Sequence, residues 1–254
     1  MIAAWVVSFS MVLARVGTLV SVLPLFGGNY VPRTVRVGLI VALSILWFDF
    51  SLAPSHQLLG TASEMTWLKY GLLLGREAVI GAVLGYALNL FLVPAQIAGE
   101  FLTQEMGLSL GSIIDPTARN PTGALTEIFQ YLGILVFFAV DAHHGLLAIL
   151  HASFQRLPIG GGGTMPSVNN LVSGAALTEE WGLVLAAPIG MCLFLTTVVL
   201  ALMARASPHM NIFSVGFALR IGCGLVAALF LLPDAIVALV QVYHRCEDLL
   251  LRSM

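Results

Sequence analysis

Residues 99–123 read GEFLTQEMGLSLGSIIDPTARNPTG, a polar, glycine-punctuated stretch between two of the most apolar segments of the chain. No ordinary transmembrane helix is written this way. Gly107 and Gly111 weaken a helix, and Asp115-Pro116 and Asn120-Pro121 force extended or turn backbone. Glu100, Glu105, Asp115 and Arg119 interrupt the apolar run. Yet Met106, Leu108, Leu110, Ile113 and Ile114 are too apolar for a loop that only faces water. Such backbone is tolerated at membrane depth only where protein buries it or where it lines a cavity.

Composition fixes the class of the flanks. Of 254 residues, 59% are hydrophobic and only 9% charged, with a mean hydropathy of +0.97, so the chain is an integral membrane protein and its fold is all-α. A net charge of −2, with no run of Lys or Arg, excludes nucleic acid as a partner. Cys192, Cys223 and Cys246 are far apart and form no Cys-x-x-Cys pair, which excludes a redox motif and a zinc site; the first two read as packing residues. Met1 to Ala14 lacks a basic residue, so the first segment is expected to stay as a membrane helix rather than to be a cleaved signal.

Working outward, segment one runs from Met1 to about Phe26, enough for a span of ~20 residues, with Arg15 in its middle. Arg33 and Arg36 in the next turn favour placing that turn in the cytoplasm; the charges of later loops fall on both sides. Segment two, Val37 to Phe50, is short. Segment three, Gly71 to Ala98, carries Gly71 with Gly75 and Gly81 with Gly85, two small-xxx-small pairs, and Pro94 is expected to kink its end. Segment four runs from Leu125 to His151, and segment five, Trp181 to Met203, is free of charge. Gly160 to Gly163 lacks the Lys-Ser/Thr of a phosphate loop and reads as a linker. After a polar break at Arg205 to Ser214, Ile212 to Tyr243 reads as two short helices meeting at Leu232 to Asp234, followed by a short charged tail. The whole chain, residues 1–254, is taken as one domain of kinked and broken helices.

Arg15, Arg76, Glu77, Glu105, Glu127, Asp141, Arg220 and Asp234 are ionisable groups in or beside apolar segments. Such groups face a bundle interior, a partner or a water path, because isolated exposure to lipid is costly. Pairing between subunits is the preferred reading; proton relay and snorkelling stay open. Asp141, His143, His144 and His151 are the best metal candidates, since His144 and His151 lie about two turns apart. They read better as polar residues at a helix end, so no metal or cofactor is expected. No catalytic constellation is present, and the chain reads as a non-enzyme.

Several motifs in order carry a resemblance: Gly99-Glu100, Met106-Gly107-Leu108-Ser109, Asp115-Pro116 and Pro121, then His143-His144-Gly145, Ser153-Phe154 and Leu157-Pro158-Ile159-Gly160, and near the end the run from Ala206 to Phe217. Across almost the whole chain the sequence resembles the FliR family of flagellar export proteins, more closely than the related SctT proteins of injectisomes. The resemblance implies a subunit of the type III export gate in the bacterial inner membrane, within the flagellar basal body. It also implies a helical, cone-like complex with FliP-like and FliQ-like subunits, served by FlhA-like and FlhB-like proteins and crossed by unfolded substrates. The residues matching the family's pore plug are 106–120: Met106, Gly107, Leu108, Leu110, Gly111, Ile113, Ile114, Asp115, Pro116, Arg119 and Asn120 among them.

A plug of this composition bends into a channel and presents apolar bulk that disfavours water and ions, with Gly107 and Gly111 expected to let it swing aside. One position departs from the family pattern: Glu105 stands where glutamine is usual, and it is expected to face water or a basic or amide group of a neighbour. Energy for export would come from elsewhere, because the chain has no nucleotide-binding motif. Two other classes stay open, a small-molecule or ion transporter with a re-entrant loop at 99–123 and, last, a membrane enzyme around His143, His144 and His151.

Overall fold

The computed structural model describes residues 2–23, 25, 31–51, 66–109, 123–160, 168–206 and 212–253. Among these residues every regular element is an α-helix: α1 (Ile2–Val22), α2 (Arg33–Ser51), α3 (Trp67–Asn89), α4 (Val93–Glu105), α5 (Ala124–Ala139), α6 (Ala142–Arg156), α7 (Val168–Ala206) and α8 (Ile212–Ser253). Within α1, α3, α7 and α8 lie stretches long and apolar enough to cross a membrane, and α5 with α6 qualify as a fifth if the pair is one broken span. The chain is thus an all-α integral membrane protein, and it divides into two compact units.

The first unit comprises Met1–Leu90, His143–Val172 and Glu247–Met254. Here α1 packs on α2 and α3. Val12, Val16, Leu19 and Leu23 fall at three- and four-residue spacings and, with Met11 beside Val12, bury one face of α1. Of the two glycine pairs on α3, only the second is used for close packing. A Cβ on Gly81 would collide with the Arg15 carbonyl and the Thr18 hydroxyl, and one on Gly85 would stand 2.9 Å from the Leu19 carbonyl oxygen. Among the described residues, a Cβ on Gly71 or Gly75 would meet nothing within 4 Å. The Ser10 hydroxyl bonds the Tyr70 hydroxyl at 2.8 Å, and Phe48 receives Trp5 and Phe9 at ring-centroid distances of 5.4 and 5.6 Å. Helix α2 begins at Arg33, four residues before the expected Val37, because Arg33 and Arg36 end the apolar run without ending the helix; the Arg36 amide donates to the Pro32 carbonyl at 3.1 Å.

The second unit comprises Phe91–Ala142 and Ser173–Cys246, and α4 is its pin. Glycines on α5 and α7 admit side chains of this short helix, and a glycine of the short helix admits the backbone of α5. A Cβ on Gly99 of α4 would stand 2.8 Å from the Thr126 Cα of α5, and one on Gly133 of α5 would stand 2.8 Å from the Ala95 Cβ. On α7, Gly182 and Gly190 make room for Ile97 and Phe101, at 2.7 and 3.0 Å from the equivalent positions. The Thr103 hydroxyl bonds the Gly99 carbonyl at 2.7 Å and meets the Thr126 hydroxyl at 3.0 Å, satisfying two buried polar side chains together. The Tyr243 hydroxyl of α8 donates to the Gly133 carbonyl at 2.8 Å, beside Phe91 and Phe137.

Other expected boundaries move as well. Segment three breaks at Leu90–Leu92 rather than kinking at Pro94, which sits in the first turn of α4, where its missing N–H leaves no bond unmade. Segment four breaks at Val140–Asp141: Asp141 adopts φ 57, a left-handed conformation that aspartate tolerates better than most residues. Ile212 to Tyr243, by contrast, is not two helices. Pro233 lies inside a 42-residue helix that also takes in the charged tail, its interruption outweighed by the hydrogen bonds on either side and by buried Ala235, Leu239 and Tyr243. Helix α7 likewise runs 39 residues through Pro188, starting before the expected Trp181.

Candidate functional site

The stretch at 99–123 begins inside α4 and leaves it through a defined helix cap. The Gly107 amide donates to the Gln104 carbonyl at 2.9 Å and the Leu108 amide to the Thr103 carbonyl at 3.0 Å, while Gly107 takes φ 75. This is a Schellman cap, which needs a left-handed residue at the position of Gly107. Gly107 is therefore the helix terminator. Met106, at the cap itself, is fully buried, against Gly224 of α8. Leu108 and Ser109 follow, half-buried. The remaining expected plug residues, Leu110, Gly111, Ile113, Ile114, Asp115, Pro116, Arg119 and Asn120, lie outside the described residues, as does the polar run 207–211.

In the first unit, two of the charges assigned to subunit contacts instead meet each other. Arg15 and Glu77 are 0% and 1% exposed and form a salt bridge, with Arg15 Nε donating to Glu77 Oε2 at 2.7 Å. The guanidinium also donates through Nη1 to the Ser153 carbonyl at 3.1 Å and through Nη2 to the Leu157 carbonyl at 2.8 Å. Its carbon lies 4.5 Å from the centre of the Phe154 ring. Ser153 and Leu157 stand at the C-terminal end of α6, the negative end of the helix dipole, and the Ser153 carbonyl also accepts from the Leu157 amide at 2.9 Å. The planar, five-donor arginine head suits a carboxylate and two carbonyls held at different angles. The motif residues Ser153-Phe154 and Leu157 thus form an internal socket, which their spacing alone does not reveal.

The other charges are spread out. Arg76, Glu105, Glu127 and Arg220 are half-buried, and Asp141 and Asp234 are exposed. The rings of His143 and His144 lie 4.2 Å apart at the start of α6, and His151 Nε2 is 2.9 Å from the amide nitrogen of Gln155. Asp141 belongs to the second unit, whereas His143 opens a segment of the first. Cys192 and Cys223 are free thiols, half-buried. The residues that sequence reasoning missed are Gly224 and Leu193, which wall the seat of Met106, and the carbonyls of Ser153 and Leu157. In each case the partners are far apart in the chain, and a glycine inside an apolar helix carries no mark of what fills it.

Apolar helices, a short one held by glycine notches and capped ahead of a polar, glycine-rich run, define a polytopic α-helical membrane protein. The family described as Bacterial export proteins, family 1, matches residues 6–245. The chain is similar to the flagellar biosynthetic protein FliR of Escherichia coli K12, 30% identical over 233 residues that cover 89% of this chain and 85% of the relative. It is also similar to FliR of Bacillus subtilis 168, 26% identical with 93% and 90% covered, and of Aquifex aeolicus, 27% identical with 86% and 83% covered. The chain belongs to this export family and, within it, to the FliR family. It is a membrane-embedded component of the flagellar export apparatus.

Proposed function

We propose that the chain is a non-enzymatic subunit of the flagellar type III export gate in the bacterial inner membrane, and that residues 106–120 close the gate at rest. Its partners in this reading are FliP-like and FliQ-like subunits that share the conducting path, with FlhA-like and FlhB-like proteins serving it and unfolded substrates passing through. The observation that carries the reading is the end of α4. The helix that the second unit holds from several sides delivers the chain, through a Schellman cap, directly into the glycine- and serine-containing run. A closing segment needs a fixed root and a bendable continuation, and this arrangement supplies the root. Gly107 serves here as the helix stop rather than as a hinge.

The test is ion leak through the assembled gate after deletion of residues 107–114. Conductance should rise in the deletion, with the complex recovered at the parent level by mass spectrometry of detergent-extracted membranes. Unchanged conductance in a complex of normal composition overturns the closing role. Recovery of the parent chain without other small hydrophobic subunits, from cells that express them, overturns the gate.

A further inference from the structure

Two glycines on the last helix lie two residues apart, in different surroundings. Among the described residues, a Cβ on Gly222 would meet nothing within 4 Å. One on Gly224 would stand 3.0 Å from Met106 Cγ, closer still to Met106 Cε, and 3.1 Å from Leu193 Cδ2. The Met106 side chain, fully buried, therefore fills a notch whose floor is the bare backbone of α8 and whose wall comes from α7. One position further on, the open side of Gly107 faces the Phe217 ring, at 3.4 Å from where a Cβ would stand. Phe217 and Gly224 are seven residues apart, about two turns, and so lie on one face of α8. That face meets the end of α4 at the two residues that terminate it.

We propose that Gly224 is a positioning residue for residues 106–109: its notch seats the Met106 side chain and so fixes the point at which the chain leaves α4. The proposal rests on the gate reading only for its consequence, the leak, and not for the geometry. Methionine has three rotatable bonds, and repacking of its side chain alone is the competing outcome. Here the notch is closed by Leu193, and a side chain displaced from it carries the last turn of α4 along.

The probe is Ser109→Cys, in a full-length chain whose Cys192, Cys223 and Cys246 are replaced by serine, labelled with a maleimide in native membranes. Gly224→Ala should speed labelling several-fold, and Gly222→Ala should leave it unchanged. Met106→Ala, which empties the notch without a clash, should also speed labelling, and adding Gly224→Ala to it should then have no further effect, because the two changes act on one contact. Labelling at the parent rate in Gly224→Ala overturns the proposal, as does an equal acceleration by Gly224→Ala with and without Met106. If Gly224→Ala is not recovered in membranes, Met106→Ala decides: parent-rate labelling there overturns the proposal as well. Ion leak, measured in parallel with the 107–114 deletion, separates the two readings. Faster labelling of Ser109→Cys with no leak in any variant keeps the positioning role and removes the plug. Leak in the deletion with unchanged labelling in Gly224→Ala does the reverse.

Discussion

Arg15 is cut off from solvent, and what replaces water around it is one carboxylate, two helix-end carbonyls and an aromatic face. Removing one partner of a buried pair strands the other charge, a loss of about 3–5 kcal/mol. Glu77→Ala should therefore lower the detergent melting temperature sharply. Arg15→Lys should do so too, because one ammonium cannot reach all three oxygen acceptors at their fixed positions. The exchanged pair Arg15→Glu with Glu77→Arg should stay destabilised, since it turns a carboxylate toward the carbonyls of Ser153 and Leu157; full recovery would show that pairing alone matters. That Arg15 and Glu77 are special was legible in the sequence, as charges inside apolar runs. Their partnership was not, because 62 positions separate them and nothing local records which distant residues meet. For that reason each charge, read alone, points to a partner in another subunit. The neighbouring glycines follow the same logic. Gly81→Ala should cost stability by driving a methyl into the Arg15 carbonyl, whereas Gly75→Ala, facing open space, should gain up to about 1 kcal/mol of helix propensity in the same melt.

At the scale of elements, the sequence marks apolar runs well and helix ends poorly, because the two are set by different physics. Charges end an apolar run but are good helix formers, so α2 starts at Arg33 and α8 continues through the charged tail. Proline stops a helix only where the local cost, about 3 kcal/mol, exceeds what the turns on either side hold. At Pro94 the chain had already broken, at Leu90–Leu92; at Pro233 a long helix absorbs the defect. Pro233→Ala should thus raise the melting temperature and leave the length of α8 unchanged, as read by helical circular dichroism. A fall in stability would mean that Pro233 shapes a bend on which the packing of Ala235 and Leu239 depends. The break at Asp141 is illegible in the sequence for a related reason: a left-handed aspartate has no sequence signature of its own when no glycine or proline stands beside it.

For the molecule as a whole, the question is what covers the apolar surface of α8. Leu229 and Phe230 are 72% and 75% exposed, Val237 is 57% exposed, and exposed Asp234 lies among them. Leu229, Phe230, Pro233, Asp234 and Val237 recur at helical spacings, so the carboxylate sits within an apolar stripe rather than at its edge. A charge in contact with lipid costs several kcal/mol, whereas a protein partner with a basic or amide group meets both the stripe and the carboxylate. If subunits of the export apparatus cover α8, Asp234→Lys should leave the amount of the chain in the membrane unchanged while lowering the co-recovery of small hydrophobic partners by an order of magnitude or more, through like-charge juxtaposition. Asp234→Asn, which keeps a hydrogen-bonding side chain, should have a smaller effect. Mass spectrometry of the extracted complex reads both quantities at once. Equal recovery for Asp234→Lys and the parent would place the carboxylate in water, and the stripe would then be a surface for lipid.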